Sequence, residues 1–157
     1  MKIIVLDGQT LNPGDLSWDD LSGFGELKIY ERTPPELVAE RCAGAEVIIT
    51  NKALVTRETL SELPGVRYVG VTATGYNVVD LPFCLEKGIT VTNVPSYSTA
   101  SVAQTVFAHI LRFTHRVEEH AHSVREGTWS NHPDFSYCIN AIEELNGKKL
   151  GIFGYGE

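Results

Sequence analysis

Four short loops in this chain hold the residue types that recognition of a small anion requires. They are Asp7-Gly8, Asn51-Lys52, Thr72-Ala73-Thr74-Gly75-Tyr76-Asn77 and Asn93-Val94-Pro95-Ser96-Tyr97-Ser98, and Lys52 is the only cation among them. A turn centred on Gly75 lets a ligand approach the backbone closely. Amides around Thr74, Gly75 and Tyr76 can then hold a carboxylate or phosphate while Lys52 supplies charge. The same residues also fit a plain tight turn beside a solvated lysine, and spacing leaves both readings open.

Two other groupings bear on chemistry. Gly154-Tyr155-Gly156 follows a run, 148–153, that reads as a strand, so it can open a turn whose amides receive a pyrophosphate. A bare Gly-x-Gly is often only a turn, and the rest of the fingerprint would fall after Glu157. His115, Glu119 and His122 share one face of a helix at these spacings. The spacing is not His-Glu-x-x-His, and the opposite face is apolar, so these residues read as a solvated surface rather than a metal site. No Ser or Cys lies in a recognisable nucleophile motif, so covalent catalysis is not indicated.

The elements that must position these loops follow from periodicity. Short β-branched runs at 3–6, 27–30, 46–50, 66–71 and 89–91 alternate with segments of helical period, the pattern of a parallel sheet with crossover helices. Thr33-Pro34-Pro35-Glu36 and Thr56-Arg57-Glu58-Thr59 open helices, Pro64-Gly65 and Lys87-Gly88 close them, and a helix is expected over about 79–86. Five such units predict a flavodoxin-like sheet, in which ligands bind beyond the carboxyl ends of the strands. Val102, Val106, Ile110, Phe113, Val117, Ala121 and Val124 then recur every three or four positions. They predict one long amphipathic helix over 101–126, opened by a Ser101–Gln104 capping box and ended by Gly127. Residues 128–146 read as an irregular connection.

Composition narrows the class. The chain has 157 residues, 43% apolar and 21% charged, in the range of packed globular proteins. Thirteen Lys and Arg against twenty Asp and Glu give a net charge of −7 with no basic run, which argues against a nucleic-acid partner. No apolar stretch approaches the roughly 18 residues a membrane helix needs, and the apolar start is too short for a signal peptide. We therefore expect a cytoplasmic protein without a membrane partner. Cys42, Cys84 and Cys138 are far apart and lack metal-ligand spacing, so they are expected to be buried thiols.

Three linked stretches carry a resemblance. Ala73-Thr74-Gly75-Tyr76-Asn77-Val78-Val79-Asp80 comes first, then Val91-Thr92-Asn93-Val94-Pro95-Ser96-Tyr97-Ser98-Thr99-Ala100-Ser101-Val102-Ala103-Gln104. The third is Leu145-Asn146-Gly147-Lys148-Lys149-Leu150-Gly151-Ile152-Phe153-Gly154-Tyr155-Gly156. In order and spacing they resemble the D-isomer-specific 2-hydroxyacid dehydrogenases, and the stretch from Tyr97 to Gln104 resembles the glycerate dehydrogenase, or hydroxypyruvate reductase, subgroup. The resemblance implies a flavodoxin-like substrate domain over 1–98, then a linking helix and the start of a Rossmann nucleotide domain over 99–157.

It further implies hydride transfer between NAD(H) and a small 2-oxo or 2-hydroxy acid, in a homodimer. By the same resemblance Lys52, Thr74, Gly75 and Tyr76 are substrate-binding, with Asn77 and Asp80 bracing the turn, and Thr105, Gly154, Tyr155, Gly156 and Glu157 are cofactor-binding. Gln104 stands where many members carry Glu, which fits the subgroup. The family's catalytic Arg, Glu and His match no position here, so these 157 residues are expected to be inactive alone. A non-enzymatic, NADH-sensing, corepressor-like protein on the same scaffold is the alternative. An independent flavodoxin or receiver domain fits poorly, because the first loop lacks a hydroxyl-rich phosphate motif and no acidic cluster follows the strands.

Overall fold

A computed structural model describes residues 1–154 and divides the chain into two compact units, Met1–Tyr97 and Ser98–Glu157. In the first unit five strands form one sheet: β1 (Lys2–Val5), β2 (Glu26–Ile29), β3 (Val47–Thr50), β4 (Tyr68–Val71) and β5 (Thr90–Thr92). Their order is β2-β1-β3-β4-β5, with every pairing parallel. This α/β sheet has the flavodoxin-like order that the alternating pattern predicts. Burial follows position in the sheet. Ile3, Ile4, Val5, Ile48, Val69 and Val71 of the three inner strands are almost wholly buried, whereas the edge strands β2 and β5 hold no buried residue.

The helices of this unit are short: α1 (Asp19–Ser22), α2 (Val38–Arg41), α3 (Arg57–Ser61) and α4 (Leu81–Lys87). The ends of α3 and α4 are built from residues the sequence singles out, whereas Thr33, expected as a cap, instead donates its hydroxyl to the Leu6 carbonyl at 2.6 Å, and the chain after it enters a short 3₁₀ turn before α2. The Thr56 hydroxyl accepts from the Thr59 amide at the start of α3, and the Asp80 carboxylate accepts from the Phe83 amide at 2.9 Å at the start of α4. Gly88, at φ +68°, stops α4, with the Ile89 amide donating back to the Cys84 carbonyl at 2.8 Å. Val38, Cys42, Val55, Leu60, Phe83 and Cys84 pack with the strand residues into a single core.

The second unit departs from expectation in three ways. The predicted long helix is two helices, α5 (Thr99–His115) and α6 (Val117–Arg125), separated by Arg116 at φ +47°. No glycine or proline marks that break. An Arg112–Glu118 ion pair at 2.6 Å spans it, and the Arg116 carbonyl accepts from the amides of Glu119 and His120. The N-cap of α5 also lies three residues before the expected one, at Ser98 rather than Ser101. The Ser98 carbonyl accepts the first helical amide, from Val102, and Ser101 lies inside the helix. Finally, residues 148–153 are not a strand. A strand exists through its partner's hydrogen bonds, and these residues pair with none among the described residues, leaving Ile152 and Phe153 exposed. Cys42 and Cys84 are buried as expected, but Cys138 is exposed, because the irregular segment around it packs no core.

Candidate functional site

Two loops leave the carboxyl edge of the sheet side by side, since Thr50 of β3 lies opposite Val71 of β4. The first is pinned from below by Asp7, which follows β1 and is 4% exposed. Its carboxylate accepts from the amides of Asn51 at 2.9 and 3.1 Å, Lys52 at 2.5 Å and Ala53 at 2.9 Å. The Thr50 hydroxyl donates to the Ala53 carbonyl at 2.8 Å, completing a closed turn. With the amides of Asn51, Lys52 and Ala53 spent, what these three residues can offer an anion is side-chain donors. Lys52 is exposed, and its ammonium has no partner among the described residues.

The second loop has the opposite character. Its carbonyls are engaged: Ala73 accepts from the Val94 amide, Thr74 from the Asn93 side chain at 2.8 Å, Tyr76 from the Val79 amide and Val78 from the Val55 amide. The Thr74 hydroxyl donates to the Val94 carbonyl, and the Asp80 amide to the Val55 carbonyl. The amides of Thr74, Gly75 and Tyr76 donate to nothing among the described residues. Three successive N–H groups therefore stand open on a loop whose carbonyls are engaged, a chemistry suited to accepting anionic oxygen.

Gly75 sharpens this reading. Its φ is not left-handed, and a Cβ built there would meet only Asn77 Oδ1 at 3.4 Å, an ordinary contact. The fold does not demand glycine at this position. What the missing side chain leaves is uncovered space over the amide run, where a ligand can approach. Asp80 braces the turn from its far end by capping α4, and Arg57, 3.8 Å from Asp80, 3.3 Å from Glu86 and stacked over the Phe83 ring, ties α3 to that cap.

Other candidates carry less. Burial pushes the Cys42 thiol up to about 12 and raises Cys84 as well, which keeps both protonated and unreactive. His115 lies on α5, whereas Glu119 and His122 lie on α6 beyond the Arg116 break, so the three do not share one helix face. His122 pairs with Glu126, and Glu119 with Arg116 and Asn140. Thr105 of the second unit donates its hydroxyl to the Ser101 carbonyl at 2.8 Å and lines a shallow hollow with Val102, Val106 and His109. Gly154 is exposed at φ +103°, with no atom within 4 Å of where a Cβ would sit. Tyr155, Gly156 and Glu157 lie outside the described residues.

The family model for the catalytic domain of D-isomer-specific 2-hydroxyacid dehydrogenases matches residues 6–145. The chain belongs to this family. It is 47% identical over 159 residues to the hydroxypyruvate reductase of Blautia hydrogenotrophica, covering 99% of this chain and 49% of that protein. It is 35% identical over 156 residues to the glycerate dehydrogenase of Methylorubrum extorquens, again covering 99% and 49%. The chain thus spans about half the length of the curated relatives it matches. Among solved structures, D-lactate dehydrogenase from Aquifex aeolicus, complexed with NAD and lactic acid, matches with TM-score 0.63 at 26% identity, over 93% of this chain and 42% of that one. The NADPH-dependent glyoxylate/hydroxypyruvate reductase of Sinorhizobium meliloti, in complex with NADP and malonate, shares the fold with TM-score 0.67 at 23% identity, over 99% and 46%.

Within this 2-hydroxyacid dehydrogenase scaffold the structure brings Lys52, Thr74, Gly75 and Tyr76 to one edge of one sheet. The sequence places Asp7 in one of the four candidate loops but gives it no role of its own. The only signal there is an acidic residue directly after a buried apolar strand, where an unpaired carboxylate would be costly.

Proposed function

We propose that the first unit of this chain holds the carboxylate of a small 2-oxo acid for reduction by a nicotinamide cofactor, in an enzyme that interconverts hydroxypyruvate and D-glycerate. The observation that carries this reading is the run of three unpaired amides at Thr74, Gly75 and Tyr76 beside the exposed Lys52 ammonium. Charge-assisted N–H···O⁻ bonds are about twice as strong as neutral ones, and consecutive amides fix direction as well as charge. A carboxylate seated there has its 2-oxo carbon held in one orientation, with Lys52 offsetting its charge and half-exposed Tyr76 beside it. The similarity to a hydroxypyruvate reductase and a glycerate dehydrogenase supports that substrate pair over other 2-oxo acids.

The cofactor reading rests on Gly154. Its positive φ and open surroundings leave its amide free to meet a pyrophosphate oxygen, which fits the first position of a dinucleotide turn. Tyr155, Gly156 and Glu157 would continue that turn, and Thr105 would face the nicotinamide end. When bound, the cofactor supplies the hydride. We favour NAD over NADP, a cytoplasmic homodimer, and an Arg, Glu and His outside these 157 residues for the proton transfer. No observation favours the corepressor-like alternative.

The test is oxidation of NADH by the complete enzyme with hydroxypyruvate, followed by the loss of reduced-nicotinamide absorbance, with NADPH, glyoxylate and pyruvate in parallel. Turnover that is fastest with hydroxypyruvate and NADH is expected. Absence of turnover with all three acids would contradict the proposal.

A further inference from the structure

We infer that Asp7 is the positioning residue for Lys52, holding the loop that carries the site's only cation through its three backbone amides. This rests on the assignment of Lys52 to the substrate site. An acidic residue beside an anion site is at first sight unfavourable, since its charge opposes the ligand's. The geometry explains why it is there. Residues 51–53 turn their three N–H groups toward one point, and only a carboxylate has two oxygens that can accept all of them, with Asn51 shared between the two at 2.9 and 3.1 Å.

An asparagine would place an NH₂ against those donors. At 4% exposure Asp7 faces the loop rather than the ligand, so its charge is spent on the amides. The contact links positions 44 to 46 residues apart, and it meets no other element through that carboxylate. The neighbouring polar contacts serve the same loop: the Asn51 side chain donates to the Thr10 hydroxyl at 2.9 Å, and the Thr10 hydroxyl donates to the Asp7 carbonyl at 2.8 Å. A second consequence is directional. Because the amides of 51–53 are occupied, a bound anion cannot take its backbone donors from those three residues, and the open amides of 74–76 face it instead.

The experiment combines amide exchange with a kinetic cycle in the complete enzyme. In Asp7→Asn, exchange at Asn51, Lys52 and Ala53 should accelerate by about 100-fold, while Ile48 and Val69 keep their protection. The KM for hydroxypyruvate should rise about tenfold with kcat within about twofold of the parent. Lys52→Met should raise KM similarly, and the double variant no further than Lys52→Met alone, because both changes remove one interaction.

Additive effects of the two variants would overturn the inference, as would unchanged exchange at 51–53. A uniform loss of protection across the core would show a merely structural role and also overturn it. A silent Lys52→Met would overturn it together with the Lys52 assignment. If Asp7→Asn does not fold, Asp7→Glu, which keeps the charge one methylene further out, carries the same cycle. If the parent enzyme reduces no 2-oxo acid, the proposed function fails, and the exchange measurement alone decides whether Asp7 holds the loop.

Discussion

The two units of this chain use similar apolar side chains to opposite effect. Residues 1–97 bury nineteen hydrophobic side chains, and residues 98–154 bury none. Val102, Val106, Phe107, Leu111 and Phe113 along α5 are all between 42% and 72% exposed. Amphipathic period is thus enough to make a helix, but what covers the apolar face is set by other elements. Parallel strands differ, because each inner strand is covered and hydrogen-bonded by neighbours that the same hundred residues supply. The proposed anion site sits on the unit whose core these residues supply, and its loops are tied to that sheet by the Asp7 and Val55 hydrogen bonds.

The comparison breaks most readily in the core. Ile48→Ala, at a wholly buried position in the central strand β3, should cost about 2–5 kcal/mol in denaturant unfolding of this chain. Phe113→Ala, at 72% exposure, should cost less than about 0.5 kcal/mol. Equal costs would mean that the second unit has a core after all. Gly75→Ala should leave the unfolding midpoint unchanged, because its Cβ fits, yet raise the KM for hydroxypyruvate about tenfold by covering the amide run. A shifted midpoint with an unchanged KM would return Gly75 to the plain-turn reading.

Asp80→Ala removes a cap from α4 and should cost about 1 kcal/mol, read by the same denaturant curves. The smallest effect lies in the second unit. Hydrogen bonds from Arg112 and Lys148, reinforced by their charges, hold the Glu118 and Glu143 carboxyls below the usual carboxylate range. A carboxyl lowered in the folded state contributes stability above its unfolded pKa and loses it as pH falls through the folded value. Helical circular dichroism of α5 and α6 should therefore weaken modestly on acidification. High salt, which screens such exposed pairs, should blunt the change.

Much of the first unit was legible because its signals are local. Buried runs mark the five strands to within one or two residues. Thr56 and Gly88 mark helix ends by chemistry that acts over one turn. That Lys52 and the 74–76 turn share one sheet edge was legible because the carboxyl ends of neighbouring parallel strands lie together.

What was not legible depends on distant partners. The hold of Asp7 on residues 51–53 crosses 44 to 46 positions, and the openness of the 74–76 amides follows from which carbonyls Asn93, Val94 and Val55 engage or leave. In the second unit, nothing in the residues around Arg116 marks the helix break, since its left-handed backbone costs about 1–2 kcal/mol for a non-glycine residue and is held by flanking ion pairs. Residues 148–153 have the composition of a strand, but composition cannot supply the neighbour a strand pairs with.

The most direct measurement is amide chemical-shift mapping of the complete enzyme with NADH as D-glycerate, which cannot react in that state, is added. The account predicts saturable shifts at Thr74, Gly75 and Tyr76, with the Asn51, Lys52 and Ala53 amides largely still because Asp7 occupies them. Saturation with no response at 74–76, or with the response centred on 51–53, would contradict it.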